Sequence, residues 1–502
     1  MKNQCVLGLD AGTTAFKGVL VGEDGKILGV ASREYSLEFH GGDIVEINPE
    51  IYWQSTVGII RQLLSVSGIP PGNIRALAFS SQGESLVCVD DRGNPLRNAI
   101  VWMDNRSARE AEEMRKDWSA RAIREKTGQT EILPLWPATR VRWLREREPG
   151  VFAKIRKFLL VADYLVFRLT GIYASEPSLL SSTLYYDIVH KRYWGGMLDY
   201  LGIRSGQLPE VHPSGSALGK ISQEAAAETG LSPDTLVVAG AYDHPAGAIG
   251  SGNIQAGTIS ETTGTAMAMV VTLDEPMLDG DLPCQCHALP GKYILLPYGQ
   301  TAGMVLKWFR DAFCREEIEL AGRNGKDPYE LMDALAAGTG PGAGGLVMLP
   351  HLMGAGSPEF DMNVKGVFAG ISPGLGKGHF IRAIMESVAF MIRRNIDSLR
   401  DSGISVGEIR ALGGGARSRL WNQIKADVTG VPYMTLESGE SACLGAAILA
   451  GTGSGIWSST REACAGLVKV MDRFVPDPGK TALYDPVYAR YVSLYDHLRT
   501  YW

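Results

Sequence analysis

LGLDAGTTAFKGVLV, the stretch at residues 7–21, decides the fold of this chain, because a similar stretch, ISETTGTAMAMVV, recurs at residues 259–271. Each stretch predicts a strand, a tight turn and a second strand. Glycine lets the backbone turn sharply and approach a ligand closely. Successive backbone N–H groups, together with the threonine hydroxyls, form a concavity that binds anions. The repeat therefore predicts two related domains that grip a polyphosphate from both sides of a cleft.

One carboxylate distinguishes the two turns. Asp10 lies in the first turn, and we expect it to hold Mg²⁺, directly or through water. Either turn by itself would favour an ordinary β-hairpin. The pairing of the turns, the aspartate and the glycine-rich segments described below favour the phosphate-binding interpretation.

Length, composition and charge exclude several classes of protein. At 502 residues the chain is too long for one hydrophobic core, so two or three domains are expected. The net charge of −6 argues against a protein that binds the phosphate backbone of nucleic acids. An anionic nucleotide must then be held by local dipoles, Mg²⁺ and a few cations.

The cysteines and the apolar segments predict a cytoplasmic protein that does not enter a membrane. Seven cysteines, an odd number in a long chain, fit a reducing compartment better than a disulfide framework. Residues 284–287, CQCH, lack a second ligand pair at zinc-like spacing, so we interpret them as a loop with free thiols. We expect no signal peptide before the first strand, and no apolar run reaches the roughly 18 residues that a membrane span needs.

The periodicity of apolar residues predicts the secondary structure. Predicted strands cover residues 4–10, 16–21, 27–33, 74–80, 85–89 and 236–242, with a further strand set within 258–302. Predicted helices cover residues 49–68, 379–401 and 418–429, a mostly helical stretch from 106 to about 170 that includes Phe158 and Leu159, a helix starting near Pro245, and an aromatic tail over 483–501. The tail is expected to pack on the body of the protein, and a homodimer formed through it stays open.

Residues 251–257 are short, polar and rich in glycine, which predicts a domain junction. They divide the chain into an N-terminal domain over residues 1–252, with the first turn, and a C-terminal domain over residues 253–502, with the second. Strands followed by alternating strands and helices occur in both parts. This order predicts two α/β domains of similar topology.

Asp243 follows the apolar segment 236–242 and precedes a helix. The carboxyl end of a strand is where α/β folds place their ligands, so this carboxylate could accept a proton from a substrate hydroxyl. Aspartate is also a favoured helix N-cap, and the residues alone leave the two interpretations even. His244 is a candidate substrate contact, although a structural neighbour is the commoner role.

A second glycine-rich segment, residues 413–415, follows a predicted strand and precedes a helix. Glycines there let the backbone lie flat against a planar or phosphorylated ligand. Asn422 and Gln423, one turn into the helix, could bind adenine or ribose, or could simply face solvent. A glycine-rich loop is by itself a weak signal.

Polar side chains cluster in residues 80–85 and 100–106. Gln82, Glu84, Asp104 and Arg106 offer both donors and acceptors beside Trp102, a combination that suits a polyhydroxylated ligand. The alternative is turn chemistry plus a surface ion pair.

Taken together, these segments resemble the FGGY family of carbohydrate kinases from end to end. The motifs that carry the resemblance are Asp10-Ala11-Gly12-Thr13-Thr14, Gln82-Gly83-Glu84, Trp102-Met103-Asp104-Asn105-Arg106, residues 163–171, Asp243, Thr263-Gly264-Thr265, Gly413-Gly414-Gly415-Ala416 and residues 366–386. The resemblance implies the actin/hexokinase-type fold, that is, two ribonuclease H-like α/β domains with a central cleft.

The resemblance also implies roles for single residues. Asp243 matches the catalytic base, and Asp10 lies by the Mg²⁺ and phosphates. The positions implied for ATP are Gly12, Thr13, Thr14, Lys17, Gly264, Thr265, Gly414, Gly415, Ala416 and Asn422. The positions implied for the sugar are Gln82, Gly83, Glu84, Trp102, Asp104, Arg106, Asp243 and His244.

Departures from the family motifs bear on the substrate. Glycerol kinases carry an arginine immediately before the glutamate that matches Glu84, and xylulose kinases carry Met-His where this chain has Gly83 and Glu84. The differences argue against glycerol and D-xylulose. A glycine in place of a larger residue predicts a roomier pocket for a ketose or a longer polyol.

The predicted function is an ATP-dependent kinase of a small sugar or polyol, acting by in-line phosphoryl transfer. One alternative is an actin- or Hsp70-like ATPase without a sugar acceptor, which dependence of ATP turnover on added sugar would exclude. The other is a non-catalytic sugar-binding regulator, against which the presence of both Asp10 and Asp243 counts.

Overall fold

The computed structural model describes residues 4–502, in which two mixed sheets, each flanked by helices, follow one another along the chain. Strands of the first half are β1 (Cys5–Ala11), β2 (Ala15–Gly22), β3 (Ile27–Glu34), β4 (Glu38–His40), β5 (Ile44–Ile47), β6 (Ile74–Ser81), β7 (Leu86–Val89), β8 (Ala99–Ile100), β9 (Lys157–Leu160), β10 (Ala174–Ser175), β11 (Tyr186–Asp187), β12 (Arg192–Tyr193), β13 (Glu210–Val211), β14 (Ala217–Lys220) and β15 (Leu236–Tyr242). Strands of the second half are β16 (Thr258–Thr263), β17 (Met267–Leu273), β18 (Cys284–Cys286), β19 (Tyr293–Leu295), β20 (Tyr298–Gly299), β21 (Val347–Leu349), β22 (Val367–Ala369), β23 (Glu408–Leu412), β24 (Tyr433–Leu436) and β25 (Val470–Phe474).

The helices cover the faces of these sheets. In the first half they are α1 (Pro49–Ser67), α2 (Ala108–Asp117), α3 (Ala120–Thr127), α4 (Pro137–Arg147), α5 (Pro149–Phe152), α6 (Val161–Thr170), α7 (Pro177–Leu180), α8 (Gly195–Leu201), α9 (Gln223–Thr229) and α10 (Asp243–Gly250). In the second half they are α11 (Gly303–Phe313), α12 (Arg315–Asn324), α13 (Pro328–Ala337), α14 (Lys377–Asp401), α15 (Arg419–Thr429), α16 (Ser441–Gly453), α17 (Thr460–Leu467) and α18 (Pro478–Leu498).

The two main sheets share one topology. In the first, β2 pairs antiparallel with β1 and β3, while β1, β6 and β15 are parallel neighbours and β14 adds an antiparallel edge. In the second, β17 pairs antiparallel with β16 and β19, while β16, β23 and β24 are parallel neighbours and β25 adds an antiparallel edge. The predicted duplication of the α/β domain is therefore confirmed at the level of strand order.

The predicted elements form because their sequence signals agree with the packing. Helix α1, for example, starts after Asn48, whose side chain accepts a hydrogen bond from the Glu50 N–H, and ends at Gly68 in the left-handed conformation. Its apolar face, including Trp53 and Leu63, is buried. Strand β1 is buried from Cys5 to Leu9, as expected of a central strand with helices on both faces.

Helices α10 and α16 pack against each other where the two halves meet. A Cβ built on Gly250 would lie 1.8 Å from the Ser441 carbonyl oxygen, and one built on Gly445 would lie 1.8 Å from the Ala246 carbonyl oxygen. Only glycine permits this backbone approach. Helix α16, which no pattern predicted, also packs on β1 and β6 and so links the second half to the first sheet.

Three local predictions were wrong. Residues 157–160, predicted as helix, form β9, because they pair with the buried β7 at the edge of a small sheet. Residues 284–286, predicted as a loop, form the buried strand β18, paired with β19. Helix α10 begins at Asp243 rather than near Pro245, which puts the aspartate inside the helix's first turn.

The tail helix α18 packs on the body, as predicted. Tyr484 and Tyr491 are buried, and the Tyr484 hydroxyl lies between Arg382, 2.7 Å away, and Glu386, 3.0 Å away. A homodimer through this helix stays a prediction. Among residues 4–502, no helix is both long enough and apolar enough to cross a lipid bilayer.

Candidate active site

A cavity of about 300 Å³, named here the acidic cavity, lies where strand ends of the first half face β17, β18 and β20 of the second half. It is lined by Thr13, Gln82, Gly83, Glu84, Trp102, Gln129, Leu135, Trp136, Tyr242, Asp243, His244, Ala268, Pro283, Gln285, Leu296, Pro297 and Tyr298. The structure thus brings together, from three separate motifs, most of the residues that the sequence predicts for the sugar.

Glu84 enters the cavity from the break that follows β6. It adopts a left-handed backbone conformation with φ of 59°, and its carbonyl oxygen accepts a hydrogen bond of 2.7 Å from the guanidinium of Arg140. Arg140 is fully buried and also donates to the carbonyl oxygen of Trp102 at 2.7 Å. Burial, reinforced by the charge of Asp243, raises the pKa of Glu84 to about 8.

Gly83 does not leave open room. A Cβ at this position would lie 2.8 Å from the Tyr242 ring and 2.9 Å from the Ser182 hydroxyl. The space predicted beside Gly83 is therefore filled by Tyr242, the residue just before Asp243.

Asp243 is not a capping residue of α10. The N-cap position is taken by Tyr242, which makes no side-chain capping bond. Within the described part of the chain, the Asp243 Oδ1 is buried and has no hydrogen-bond partner. Burial raises the pKa of Asp243, an effect that neighbouring His244 opposes. A buried carboxylate oxygen without a partner costs free energy unless a ligand supplies one, which favours the functional interpretation.

Asp10 lies at the end of β1, where its Oδ1 accepts a 2.7 Å hydrogen bond from the Ser80 hydroxyl. Burial, with a further contribution from the charge of Asp243, raises the pKa of Asp10 to about 7. Asp10, Glu84 and Asp243 thus share a desolvated region in which each ionised carboxylate disfavours another. A bound cation would relieve this repulsion.

The residues present fit Mg²⁺ rather than a metal caged by protein ligands. Nowhere in residues 4–502 do three or more His, Cys, Asp or Glu side chains form a group able to hold a metal ion. Mg²⁺ typically needs only one or two carboxylates, because phosphate oxygens and waters complete its shell. Asp10 meets that requirement.

The first glycine-threonine turn is tied to the loop at Gln82. The Trp102 indole donates to the Thr13 hydroxyl at 2.9 Å, and the Gln82 amide donates to the Gly12 carbonyl oxygen at 2.9 Å. Thr13 lines the acidic cavity, whereas Gly12 and Thr14 do not. Two hydrogen bonds therefore tie the first turn to the residues that line the acidic cavity.

Lys17, predicted to contact phosphate, forms an ion pair of 2.9 Å with Glu440 of the second half. The pair is about one third exposed on each side. The ion pair joins the hairpin of the first turn to the residue just before α16. It lines neither the acidic cavity nor the cavity at the glycine loop of residues 413–415.

Asp104 and Arg106 are not brought into the acidic cavity. Asp104 is fully buried and accepts hydrogen bonds from the Arg106 side chain at 2.8 and 2.7 Å and from the Val45 N–H at 2.6 Å. Arg106 also pairs with Glu46 at 2.7 Å. The polar atoms of Asp104 and Arg106 therefore bond to each other, to the Val45 backbone and to Glu46, instead of to a ligand in the acidic cavity.

A second cavity, of about 810 Å³, lies in the second half and is named here the glycine-loop cavity. It is lined by Thr263, Gly264, Thr265, Gly303, Met304, Leu306, Lys307, Asp327, Tyr329, Glu330, Asp333, Gly414, Gly415, Arg417, Ser418 and Trp421. Of the residues predicted for ATP, Gly264, Thr265, Gly414 and Gly415 belong to it. Ala416 and Asn422 do not line it; the Asn422 amide donates to the Ala416 carbonyl oxygen at 2.7 Å and so holds the glycine loop in place.

The second turn rests on a buried ion pair that the sequence did not reveal. The Lys425 ammonium lies 2.8 Å from a Glu261 carboxylate oxygen and 2.6 Å from the Thr263 hydroxyl, and that hydroxyl also bonds Glu261. Both charged side chains are fully buried. The second turn thus also has a carboxylate, which corrects the expectation that only the first turn carries one, and the protein itself neutralises it.

Other lining residues escaped the sequence because no motif marks them. Gln129 and Trp136 lie near each other but far in sequence from Gln285, and the three residues share the acidic cavity only through tertiary packing. Gln285 stands between two cysteines that were considered as a metal site; both are buried free thiols.

Comparison with known proteins gives consistent matches over the whole chain. The FGGY family of carbohydrate kinases matches through its N-terminal domain over residues 5–250 and its C-terminal domain over residues 260–454. A xylulose kinase of Bacillus subtilis is 30% identical over 499 residues, covering 98% of this chain and 97% of that protein. A gluconokinase of Bacillus subtilis is 31% identical over 447 residues, covering 88% of this chain and 86% of that protein.

A solved structure extends the likeness to the fold. The xylulose kinase from Rhodospirillum rubrum superposes with a TM-score of 0.89 at 29% identity, covering 99% of each chain. This likeness confirms the predicted two-domain actin-like α/β fold. The two Bacillus relatives carry names that point to different substrates.

Proposed function

This chain belongs to the FGGY family of carbohydrate kinases and is an enzyme of that class, and we propose that it uses MgATP to phosphorylate a hydroxyl of a neutral ketose or polyol. The observation that carries the proposal is the buried Asp243 Oδ1, which faces the acidic cavity without a hydrogen-bond partner in the described residues. A substrate hydroxyl can donate a hydrogen bond to such an oxygen and can then transfer its proton to it.

The charges of the acidic cavity support a neutral substrate. Its lining contains two carboxylates, Glu84 and Asp243, and none of the described residues that line it is a lysine or an arginine. A sugar acid would bring a third carboxylate into this region without a matching cation, which is costly in a desolvated site. The gluconokinase match is therefore a weaker guide to the substrate than the xylulose kinase match.

In the proposed reaction, the two glycine-threonine turns and the glycine loop position the nucleotide through backbone N–H groups. Glu84 and Gln82 orient the sugar hydroxyls, and Asp243 accepts the proton of the hydroxyl that attacks the γ-phosphorus in line. Most of the rate enhancement is expected from positioning and charge stabilisation. Closure of the two halves over the cavity keeps water from competing as acceptor.

Asp10 would hold Mg²⁺ in this arrangement, with Ser80 fixing the orientation of its carboxylate. When bound, the ion would neutralise phosphate charge and favour the ionised form of Asp10. The residues of the glycine-loop cavity would then bind the adenosine part of ATP.

A coupled assay of ADP release tests the proposal directly. Purified protein with MgATP is offered pentuloses, hexuloses, aldoses, alditols and aldonates one at a time. We expect turnover with at least one neutral ketose or alditol and little ATP hydrolysis without it. Turnover independent of any sugar would favour the actin- or Hsp70-like ATPase, and turnover confined to aldonates would refute the neutral substrate.

A further inference from the structure

Strand β18 of the second half is bonded directly to the first half, beside the acidic cavity. The Cys284 N–H donates to the Gly128 carbonyl oxygen at 2.9 Å, and the Cys286 N–H donates to the Ser181 hydroxyl at 3.0 Å. The contact is tight, since a Cβ on Gly128 would lie 2.0 Å from the Cys284 carbonyl oxygen. These bonds define a seam between the halves, formed by residues 128–129, Ser181 and 284–286.

Gln285 lies in the middle of this seam, and its side chain lines the acidic cavity. The residue is only 2% exposed, and its Oε1 is buried without a hydrogen-bond partner among residues 4–502. The flanking N–H groups of Cys284 and Cys286 hold the backbone from both sides. The fold thus fixes the position of the Gln285 residue, while its side-chain Oε1 accepts no hydrogen bond from the described residues.

Gln129 lines the same cavity from the first half. It is fully buried, and its Nε2 donates to the Ser181 carbonyl oxygen at 2.8 Å. Because the carbonyl oxygen of Ser181 can only accept, this bond identifies the amide nitrogen and leaves Oε1 as the other atom. Within the described chain that Oε1 also has no partner.

Two residues that line one cavity, one from each half of the protein, therefore carry a buried carboxamide oxygen without a partner among residues 4–502. Each oxygen is an acceptor that a ligand hydroxyl can satisfy. A site that hydrogen-bonds substrate hydroxyls in this way rejects analogues that lack them, because the protein acceptor is then left unpaired. A carboxylate on the substrate would offer no donor and would be repelled.

We infer that Gln129 and Gln285 are specificity-determining residues that accept hydrogen bonds from substrate hydroxyls other than the one phosphorylated. Gln285 belongs to the second half, so the sugar contacts both halves and its binding favours their closed arrangement. The inference rests on the proposed function, which supplies the polyhydroxylated substrate, and it adds two residues and a structural basis for selecting hydroxyl-rich neutral sugars.

Gln285→Met tests the inference, because methionine keeps the length of the side chain and removes both polar atoms. The probes are the pentuloses, hexuloses and alditols of the ADP-release screen and their monodeoxy analogues. We expect kcat/KM for the preferred sugar to fall about tenfold, mainly through KM, as for one lost hydrogen bond. The KM for ATP should be unchanged. For the monodeoxy analogue that lacks the contacted hydroxyl, wild type and variant should become equal.

The matched control is Gln255→Met, the same substitution at an exposed position of the second half outside the cavity; it should behave as wild type. If Gln285→Met melts early, Gln285→Asn, which keeps the amide but shortens it, should show a smaller loss with the same dependence on the monodeoxy analogues. Wild-type kcat/KM in both Gln285 variants, or an equal loss on every analogue, overturns the inference while sugar-dependent turnover stands. Absence of turnover with every neutral sugar in the wild type overturns the proposed function and this inference with it.

Discussion

The two halves of the molecule have the same strand order but carry different chemistry at the corresponding strand ends. In the first half, β1, β6 and β15 lead to the buried Glu84 and to the partly buried Asp10 and Asp243, whose pKa values are all raised. In the second half, β23 leads to the glycine loop at residues 413–415, whose backbone lines a larger cavity. The two halves thus share a scaffold and differ in the side chains at its strand ends.

The second turn shows the same divergence in its carboxylate. Glu261 is locked to Lys425 and Thr263, so it is unavailable to a ligand. Within residues 4–502, the Asp10 carboxylate accepts a hydrogen bond only from the Ser80 hydroxyl, and its pKa is raised to about 7. This contrast supports the proposal that the first half binds the acceptor sugar and takes its proton, while the second half holds the nucleotide.

The largest effect is expected from Asp243→Asn, which removes the base from the first half and keeps the shape of the side chain. Asparagine cannot accept the proton at neutral pH, so kcat should fall by about 10²–10⁴. Melting temperature and the binding of both ligands should stay close to wild type, since Asp243 does not cap α10. Sugar-dependent kcat measured beside the melting curve checks this; wild-type kcat in the variant would refute the base assignment.

Glu84→Gln should damage use of the sugar and spare the nucleotide. A carboxylate that binds sugar hydroxyls contributes up to roughly 3 kcal/mol, so kcat/KM for the sugar should fall by up to about a hundredfold. The KM for ATP, a property of the other half, should change little. Steady-state kinetics with each substrate varied in turn decides the matter, and an unchanged kcat/KM for the sugar would remove Glu84 from the site.

Asp10→Ala should weaken the use of MgATP by about tenfold, as expected for one lost charge-assisted contact. Sugar binding should be largely kept, because Asp10 does not line the acidic cavity. Titration calorimetry with the preferred sugar provides the readout. A folded variant that no longer binds the sugar would contradict the assignment of Asp10 to the phosphate side.

A separate effect, on stability rather than activity, is expected in the ligand-free protein. The pKa of Glu84 is raised from 4.5 to about 8 in the folded state. Between these values the folded protein keeps a proton that the unfolded chain releases, so this residue lowers stability as the pH rises. The stability advantage of Glu84→Gln over wild type should grow by up to about 4 kcal/mol from about pH 5 to about pH 9. Urea unfolding at both pH values measures it, and an advantage that shrinks would contradict a buried, proton-binding Glu84.

Much of the difference between the two halves could be predicted from the sequence, because the sequence motifs that mark it are local. The paired turns, the strand before Asp243 and the glycine loop at residues 413–415 each combine glycine or a carboxylate with an apolar strand in one short segment. Such patterns require no knowledge of tertiary packing. The expectation of two α/β domains of similar topology followed from the same segments.

The rest depends on contacts between distant residues. Asp104 and Arg106 have the polar character of ligand-binding residues, yet the fold pairs them with each other and with Glu46. Gln129 and Gln285 carry no motif and become neighbours of one cavity only because β18 docks on the first half. Side chains whose role is set by a partner across the fold are invisible to local patterns.

The central claim, that the first half binds the sugar and the second the nucleotide, is tested most directly by measuring both affinities in two variants. Gly414→Val adds a side chain to the glycine-loop cavity where a Cβ meets no atom within 4 Å, so it should fold normally and fill the nucleotide site. Dissociation constants of the preferred sugar and of ADP are measured by calorimetry for Gly414→Val and Glu84→Gln. The account predicts that Gly414→Val weakens ADP by about tenfold and spares the sugar, and that Glu84→Gln does the reverse. A Gly414→Val protein that loses the sugar and keeps ADP would contradict it.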